Sequence, residues 1–409
     1  MKKSFLIALL MASSLSAMAQ NTADPNVARA EKMFGFLLEN KADSLYDNLS
    51  SQVKPMVQKT QFEGLLKNME PQIGVYQKHG DWETQQVMGQ KCYVSVAQFE
   101  KAELGAIVVF DADGKMLGIQ LVPASMIKKN VAPVDNMLST GAAFKEIADT
   151  VITGDMRLPA IVTLPKEQDA PIVVMVHGSG ATDRDETVYE NKPFRDIATK
   201  LADCGIATLR YDKRTFIYRR KVSSMDDETI LDALSAIRLA RKYGKRIFIL
   251  GHSLGAMLAP IIASRAEEKP EGIIMMAAPA RNREEVVREQ FDYLLPSGTS
   301  DSYKEEQLEK LRSAAPHYLQ PQGQIAVAQK LDIPMLILQG ERDYQVTMQD
   351  FHLWQQSLKG KERAVFHSYP SLNHLFMYGE GKSTPMEYQL QGHVSDKVTN
   401  DIAEFIKRF

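Results

Sequence analysis

The 409-residue chain is poor in several features, and each scarcity excludes a class of protein. Only two cysteines occur, Cys92 and Cys204, and we place them in different domains, so a disulfide framework is excluded as the main source of stability. The 49 Lys and Arg residues and 51 Asp and Glu residues leave a formal net charge of -2 at pH 7. A chain this close to neutral has no basic field that would bind nucleic acid or an anionic membrane.

Signatures of metal and phosphate binding are missing as well. The histidines have no partners at the spacing of metal ligands, and no Gly-x-x-x-x-Gly-Lys loop is present. We therefore expect no metal ion, no cofactor and no nucleic acid partner, and a small-molecule substrate is the better expectation. The sequence leaves the oligomeric state open.

Long apolar runs are missing except at the N-terminus. Residues 1–3 include two lysines, residues 5–15 are apolar, and residues 16–20 are mostly small. This is the layout of a secretory signal peptide, and the apolar run is shorter than the about 20 residues that span a membrane. We predict cleavage after Ala19, which removes residues 1–19 and leaves an exported protein without a membrane anchor.

Residues 25–122 have the pattern of a small α+β domain. Apolar residues follow helical spacing from 26 to 73, which predicts two or three amphipathic helices. From 72 to 122 the pattern changes to short strand-like runs with a turn at 111–114, which predicts an antiparallel meander. Residues 123–143 contain prolines, asparagines and a glycine without periodicity, and we interpret them as a linker.

Residues 144–409 alternate short apolar runs with helical patterns, which predicts an α/β domain with a largely parallel sheet covered by helices. The predicted strands are 172–176, 207–210, 246–250, 273–276, 334–338 and 364–369. The predicted helices are 193–203, 229–243, 254–265, 348–358 and 395–409. The interval from 280 to 330 is charged and helical without a strand, so we expect a helical cap at about 281–330 over the active-site face.

The strongest chemical signal is a Gly-x-Ser-x-Gly motif at 251–255, which follows a predicted strand and opens a predicted helix. In this context the serine occupies a sharp turn that lifts its hydroxyl to the carboxyl edge of the sheet. The two glycines leave out the Cβ atoms that would clash there. The helix N-terminus points backbone donors and a partial positive charge at the same place. We predict Ser253 as the nucleophile.

A serine hydroxyl needs a base, and the base needs a group that orients it. Asp343 follows the fifth predicted strand, with Glu341 as the alternative carboxylate. His374 follows the sixth predicted strand, whereas the rival His367 lies inside that strand and His393 lies further along the chain. The chain order Ser, Asp, His is that of α/β-hydrolases. We predict Asp343 as the orienting acid and His374 as the general base and acid.

Acyl transfer also needs hydrogen-bond donors for the developing oxyanion. The first predicted strand opens into a small-residue loop, His-Gly-Ser-Gly, at 177–180, where the backbone can approach a substrate. We predict that the backbone amides of Leu254 and Ser179 form the oxyanion hole. His177 is expected to support the loop rather than to perform chemistry.

Two charged runs, at 182–187 and 210–214, also follow predicted strands at this edge of the sheet. Recognition of a polar substrate is one interpretation of these side chains. A network of ion pairs that holds the long loops is the interpretation we favour.

Six separated motifs resemble, in order, those of a group of bacterial α/β-hydrolase esterases, relatives of serine aminopeptidase-like and dienelactone hydrolase-like proteins. They lie at 177–187, 191–194, 210–215, 251–255, 340–346 and 372–376. The resemblance covers about residues 144 to 409. It implies the α/β-hydrolase fold, with the catalytic serine, aspartate and histidine at Ser253, Asp343 and His374.

The resemblance also bears on the N-terminal part and on localisation. Some members of the group carry an N-terminal domain of unknown function, with a cystatin-like or nuclear-transport-factor-like α+β fold. Residues 25–122 resemble that domain in size and element order. Similar secreted enzymes occur in Gram-negative bacteria, which implies the periplasm, or the medium outside the cell, as the destination.

These features predict a secreted serine hydrolase that cleaves carboxylic esters through an acyl-serine intermediate, with a preference for short acyl chains. A peptidase or amidase with the same triad is the alternative, because both reactions use the same groups. A binding protein on an inactive hydrolase scaffold is a third interpretation, and the intact set of Ser253, Asp343 and His374 argues against it. The sequence does not identify the natural substrate or the role of residues 25–122.

Overall fold

The computed structural model describes residues 24–54, 57, 59–87, 90–124, 127, 144–167, 169–218, 222–295 and 299–409. The chain forms two compact units that divide between residues 135 and 136, and each is described by itself. The predicted signal peptide at 1–19 and nearly all of the predicted linker at 123–143 lie outside the described residues, so both stay predictions.

The first unit packs helices against an antiparallel sheet. The helices are α1 (Pro25–Leu38), α2 (Ala42–Asp47) and α3 (Leu65–Ile73). The strands are β1 (Tyr76–His79), β2 (Glu83–Val87), β3 (Gln90–Phe99), β4 (Glu103–Phe110) and β5 (Met116–Pro123), paired in the order β1-β3-β4-β5 with β2 also on β3. Helix α1 begins where the Asp24 side chain accepts a hydrogen bond from the Asn26 amide, and it buries Ala30, Met33 and Phe34 at helical spacing. The predicted small α+β fold is therefore present.

The described part of the second unit is built on one eight-stranded sheet. Its strands are β6 (Phe144–Thr153), β7 (Met156–Pro165), β8 (Ile172–Val176), β9 (Ala207–Tyr211), β10 (Ile247–His252), β11 (Gly272–Met276), β12 (Met335–Gly340) and β13 (Ala364–Tyr369). They lie in the order β13-β12-β11-β10-β8-β9-β7-β6. Strand β7 is antiparallel to both β6 and β9, and the other neighbouring pairs are parallel.

Helices cover both faces of this sheet. They are α4 (Pro193–Asp203), α5 (Arg214–Tyr218), α6 (Leu231–Ala240), α7 (Leu254–Arg265), α8 (Arg283–Leu294), α9 (Asp301–Ala314), α10 (Pro316–Leu319), α11 (Gln324–Lys330), α12 (Met348–Ser357) and α13 (Asp396–Arg408). Helices α8 to α11 follow one another between β11 and β12, in the interval where the helical cap is expected. None of the described helices has the length and apolar character needed to cross a membrane.

The six predicted strands are present, with ends shifted by a residue or two, but the hairpin of β6 and β7 was not predicted. Strand β8 is buried at every position, as a central parallel strand should be, whereas β6 alternates buried with half-buried and exposed residues. The alternation in β6 does not give the apolar run by which the other strands are found, and β7, although mostly buried, includes Arg157 and Pro159. The predicted helix 229–243 is also divided, because a short π-helix at 226–230 precedes α6.

The packing of β10 fixes the position of the following residues. Ile247 and Ile249 lie in a core with α6, α7 and α12 on one face of the sheet. Phe248 and Leu250 lie in a second core with α4 and α13 on the other face. Because alternate side chains of a strand are locked into opposite layers, the carboxyl end of β10 is held rigidly where Ser253 begins the next turn.

Candidate active site

Ser253 lies in a sharp turn between β10 and α7. Its backbone has φ 51° and ψ -112°, a conformation that costs a non-glycine residue about 1–3 kcal/mol. The Ser253 amide donates to the Met276 carbonyl at 2.9 Å, which ties the turn to β11. A Cβ atom on Gly255 would lie 2.1 Å from the Val176 oxygen, and one on Gly251 would lie 2.3 Å from the Gly255 oxygen. Both motif positions therefore require glycine.

His374 and Asp343 meet at the same edge of the sheet. His374 Nδ1 lies 2.6 Å from Asp343 Oδ2, and both residues are buried. The other carboxylate oxygen, Oδ1, accepts the amides of Gln345 (2.7 Å) and Val346 (3.1 Å), while Gln339 Nε2 donates to Oδ2 at 3.2 Å. These three hydrogen bonds fix the position of the Asp343 carboxylate. The carboxylate in turn orients the His374 imidazole, with Nδ1 protonated and Nε2 available as a base.

The backbone brings His374 close to the Ser253 turn. His252, the residue before Ser253, places its Nε2 2.9 Å from the His374 carbonyl oxygen. The two imidazole ring centroids are 4.7 Å apart. The structure thus gathers the three predicted triad residues at the carboxyl ends of β10, β12 and β13.

The rival residues have other surroundings. Glu341 accepts a hydrogen bond from Ser368 Oγ at 2.8 Å on the surface. His393 is exposed and lies 3.2 Å from Asp196, while His367 lies inside β13. The described contacts therefore place Asp343, and not Glu341, against His374.

The loop after β8 lies directly against the serine turn. A Cβ atom on Gly178 would lie 3.3 Å from the Ser253 Cβ. The Gly178 amide donates a hydrogen bond to Glu186 Oε1 at 2.6 Å, so it is not available to an oxyanion. Ser179 follows it in the loop, and Leu254 is the first residue of α7, where amides have no acceptor within the helix. This arrangement suits the two predicted oxyanion donors.

The cap contacts the same loop through its shortest helix. Tyr318 in α10 has its hydroxyl 2.9 Å from Ser179 Oγ. The neighbouring His317 is buried and lies 3.2 Å from Glu228. Residues of the insertion between β11 and β12 therefore form one wall beside the predicted oxyanion hole.

Sequence reasoning missed a second buried carboxylate and histidine pair. Glu186 Oε2 and His252 Nδ1 are 3.0 Å apart, although their angle is too poor for a good hydrogen bond. Burial alone would lower the pKa of His252, but Glu186, the His374 carbonyl and Asp343 together raise that pKa. Burial would raise the pKa of Glu186, but His252, His177 and the Gly178 amide together lower that pKa. The pair connects the Gly178 amide, through Glu186 and His252, to the His374 backbone.

The sequence contains both residues of this pair but does not show that they contact each other. Glu186 belongs to a run of four charged residues, and its sequence does not show which carboxylate turns inward. His252 directly precedes the predicted nucleophile, but the sequence does not show which side chain contacts its ring. The positive φ of Glu186 (53°) shows that the backbone bends sharply to bring this side chain inward.

The ion-pair interpretation of the two charged runs agrees with the structure. Arginines of these runs are paired with buried or half-buried carboxylates: Arg184 with Asp212, Arg210 with Glu146 and Asp185, and Arg214 with Asp232 and Asp227. His177 is buried between the rings of Phe194 and Tyr211, and burial lowers its pKa to about 4. A neutral, ring-packed histidine suits the supporting role predicted for it. Among the described residues, no group of three or more His, Cys, Asp or Glu side chains could hold a metal ion.

Comparison with known families agrees with this geometry. Residues 173–385, more than half of the chain, match the family described as the alpha/beta hydrolase family. The chain belongs to the α/β-hydrolase family. The predicted α/β-hydrolase fold is thereby confirmed, and residues 30–119 of this α/β-hydrolase match a family described as a protein of unknown function (DUF3887).

A curated relative extends over nearly the whole α/β-hydrolase. Esterase EstD from Thermotoga maritima is 35% identical over 391 residues, which cover 90% of this chain and 92% of the relative. Solved structures are more distant. An esterase from Pyrococcus furiosus is 16% identical with a TM-score of 0.46, covering 65% of this chain and 91% of its own. A proline iminopeptidase from Mycobacterium smegmatis is 17% identical with a TM-score of 0.43, covering 64% and 98%.

Proposed function

We propose that this α/β-hydrolase is a serine esterase in which Ser253, His374 and Asp343 hydrolyse carboxylic esters through an acyl-serine intermediate. The observation that carries the proposal is the 2.6 Å contact between His374 Nδ1 and Asp343 Oδ2, at the sheet edge where the Ser253 turn lies. The 35% identity to Esterase EstD over 90% of the chain supports an ester as the bond that is cleaved.

In the first step, the Ser253 hydroxyl oxygen bonds to the ester carbonyl carbon while His374 Nε2 accepts the hydroxyl proton. Asp343 holds the imidazole and stabilises its positive charge. The amides of Leu254 and Ser179 donate hydrogen bonds to the developing oxyanion. When the bond between the carbonyl carbon and the alcohol oxygen breaks, His374 returns the proton to the alcohol, and the acyl group stays on Ser253.

In the second step, water replaces the alcohol. His374 accepts one proton from water as the hydroxide oxygen bonds to the acyl carbon, and the same two amides stabilise the oxyanion. The bond from the acyl carbon to Ser253 then breaks, and His374 returns its proton to the serine oxygen. The products are a carboxylic acid and the free enzyme.

Labelling with a fluorophosphonate, which reacts with activated serines, tests whether Ser253 is the nucleophile. A fluorophosphonate probe should label the wild type, and Ser253→Ala should abolish labelling and lower ester hydrolysis by about 10³-fold or more. Ser179→Ala is the matched control, because it removes a hydroxyl beside the site but keeps the backbone amide. Labelling that persists in Ser253→Ala would assign the chemistry to another residue.

Substrate panels separate the esterase from the peptidase or amidase with the same triad. Matched 4-nitrophenyl esters and 4-nitroanilides, each with acyl chains of increasing length, should show turnover of the esters with a preference for short chains. Anilides cleaved as fast as the esters would favour the amidase alternative. Equal rates at every chain length would remove the short-chain preference.

The proposal includes export to the periplasm or beyond the cell. It rests on the lysines, apolar run and small residues within residues 1–20, described above. Mass spectrometry of the exported protein should find a chain that begins at Gln20. A mature chain that still contains Met1 would contradict removal of the segment.

A further inference from the structure

Arg283 is a buried arginine that opens the helical insertion between β11 and β12. It is the first residue of α8, directly after the loop that follows β11, and only 5% of it is exposed. None of the described residues accepts a hydrogen bond from its Nε or forms an ion pair with its guanidinium. The guanidinium instead lies over the ring of Tyr318, 4.0 Å from the ring centroid.

The neighbouring Arg281, in the loop before α8, has the ion-pair partners that a buried arginine usually has. Its guanidinium is also buried, but it is paired with Asp350 at 2.8 Å and with Glu289. A buried cation is normally retained only with such partners, because removal from water is costly. Arg283 is buried as well, but none of the described carboxylates forms an ion pair with it.

The carboxylates nearest to Arg283 are occupied by other groups. Glu228 lies 3.1 Å from Lys213 Nζ and 3.2 Å from His317 Nε2. Asp350 accepts two hydrogen bonds from the Arg281 side chain and one from its amide. Burial lowers the pKa of Arg283 to about 10, and Glu228 and Asp350 oppose that shift, so the group stays charged at neutral pH.

The backbone adds positive potential at the same place. Arg283 begins a 12-residue helix, and the N-terminus of a helix carries a partial positive charge. A cation is unfavourable at this end of a helix, whereas an anion is stabilised there. An arginine guanidinium is also the side chain that matches a carboxylate with two parallel hydrogen bonds.

Arg283 is one aromatic ring away from the predicted oxyanion loop. Tyr318, on which it stacks, places its hydroxyl 2.9 Å from Ser179 Oγ. A substrate group that passes Tyr318 from an ester carbonyl at Ser253 and Ser179 would reach the guanidinium.

We propose that Arg283 binds a carboxylate carried by the ester substrate, so that the preferred substrates are esters bearing a free carboxylate. This inference rests on the proposed esterase function and adds the class of substrate. The carboxylate supplies an acceptor that the described residues do not give to Arg283 Nε, and the guanidinium lies over the Tyr318 ring at 4.0 Å from its centroid.

Matched acid and amide substrates test the proposal. The acyl-side pair is the 4-nitrophenyl monoester of adipic acid and its neutral monoamide analogue. The alcohol-side pair is the butyryl ester of 4-hydroxybenzoic acid and that of 4-hydroxybenzamide. The ratio of kcat/KM for acid over amide should fall about tenfold or more in Arg283→Met for at least one pair. Ratios unchanged in both pairs would overturn the proposal.

Arg288→Met is the matched control for loss of a cation from α8. Arg288 is in the same helix, but it is exposed and paired with Glu284 and Glu305 on the surface. It should keep the wild-type ratio. A fall in Arg288→Met equal to that in Arg283→Met would mean that the overall charge of the cap, and not a contact with Arg283, sets the preference.

Inhibition of the wild type keeps the proposal testable if Arg283→Met does not fold. Adipate and 4-hydroxybenzoate are compared with adipamide and 4-hydroxybenzamide as competitive inhibitors of 4-nitrophenyl butyrate hydrolysis, at matched ionic strength. Stronger inhibition by an acid than by its amide supports the site, and equal inhibition within both pairs overturns it. A wild type that hydrolyses no ester and takes no fluorophosphonate label would instead refute the esterase function itself.

Discussion

At the residue scale, two buried carboxylates hold two histidines at one edge of the sheet, and they hold different parts of the site. Asp343 contacts the imidazole of His374 and so sets which ring nitrogen is free. Glu186 contacts the imidazole of His252, whose other nitrogen contacts the His374 backbone. The same Glu186 accepts the Gly178 amide. Glu186 therefore links the predicted oxyanion loop to the loop that carries His374.

The Glu186 and His252 pair predicts a pH-dependent contribution to stability. The lowered pKa of Glu186 gives a contribution that is full above its ordinary value of 4.5 and is lost as pH falls through the lowered pKa. The raised pKa of His252 gives a contribution that is full below its ordinary value of 6.5 and is lost as pH rises through the raised pKa. Glu186→Gln should cost about 3 kcal/mol of unfolding free energy at pH 5.5, because one partner of a buried pair is removed.

Urea unfolding of the wild type and Glu186→Gln across pH 5 to 9 measures this difference. It should be largest between the two ordinary pKa values and shrink as His252 loses its proton. Glu190→Gln is the control, since that carboxylate is exposed and lies only four residues away. A deficit of Glu186→Gln that is the same at every pH would show that the ionic state of the pair is irrelevant to folding.

At the scale of elements, burial explains which parts of the fold are predictable from the sequence. The strands β8 and β10 are buried at every position, so each gives a continuous apolar run in the sequence. Helix α7 is buried along most of its length and begins at Leu254, inside the glycine motif. The position of Ser253 between a strand and a helix is what allows it to be predicted as the nucleophile.

Elements at the sheet edge, and contacts between distant loops, are not predictable in the same way. Strand β6 lies at the edge of the sheet, and its buried residues alternate with half-buried and exposed ones, so it gives no continuous apolar run. Glu186, which contacts His252, lies 66 positions earlier in the chain, and its inward side chain depends on a positive φ at Glu186. Arg283 is one of several arginines in a charged interval, and only the packed structure shows that none of the described residues accepts a hydrogen bond from its Nε.

At the scale of the whole molecule, each unit has a hydrophobic core and one of the two tryptophans. Trp82 belongs to the first unit and lies 5.9 Å from Phe34, ring centroid to ring centroid. Trp354 is fully buried in the second unit, and its Nε1 donates to the Ala278 carbonyl at 3.0 Å. Tryptophan fluorescence can therefore report on each unit separately once the other tryptophan is replaced.

Separate cores predict two unfolding transitions. Trp82→Phe leaves Trp354 as the reporter of the catalytic unit, and Trp354→Phe leaves Trp82 as the reporter of the first unit. Adding Phe34→Ala should destabilise only the Trp82 transition, and adding Phe248→Ala only the Trp354 transition, each by about 3–5 kcal/mol, because both side chains are fully buried. Urea titration followed by fluorescence measures both midpoints. If either substitution moved both transitions together, the cores would have to unfold as one cooperative body, and the N-terminal unit would then stabilise the enzyme directly.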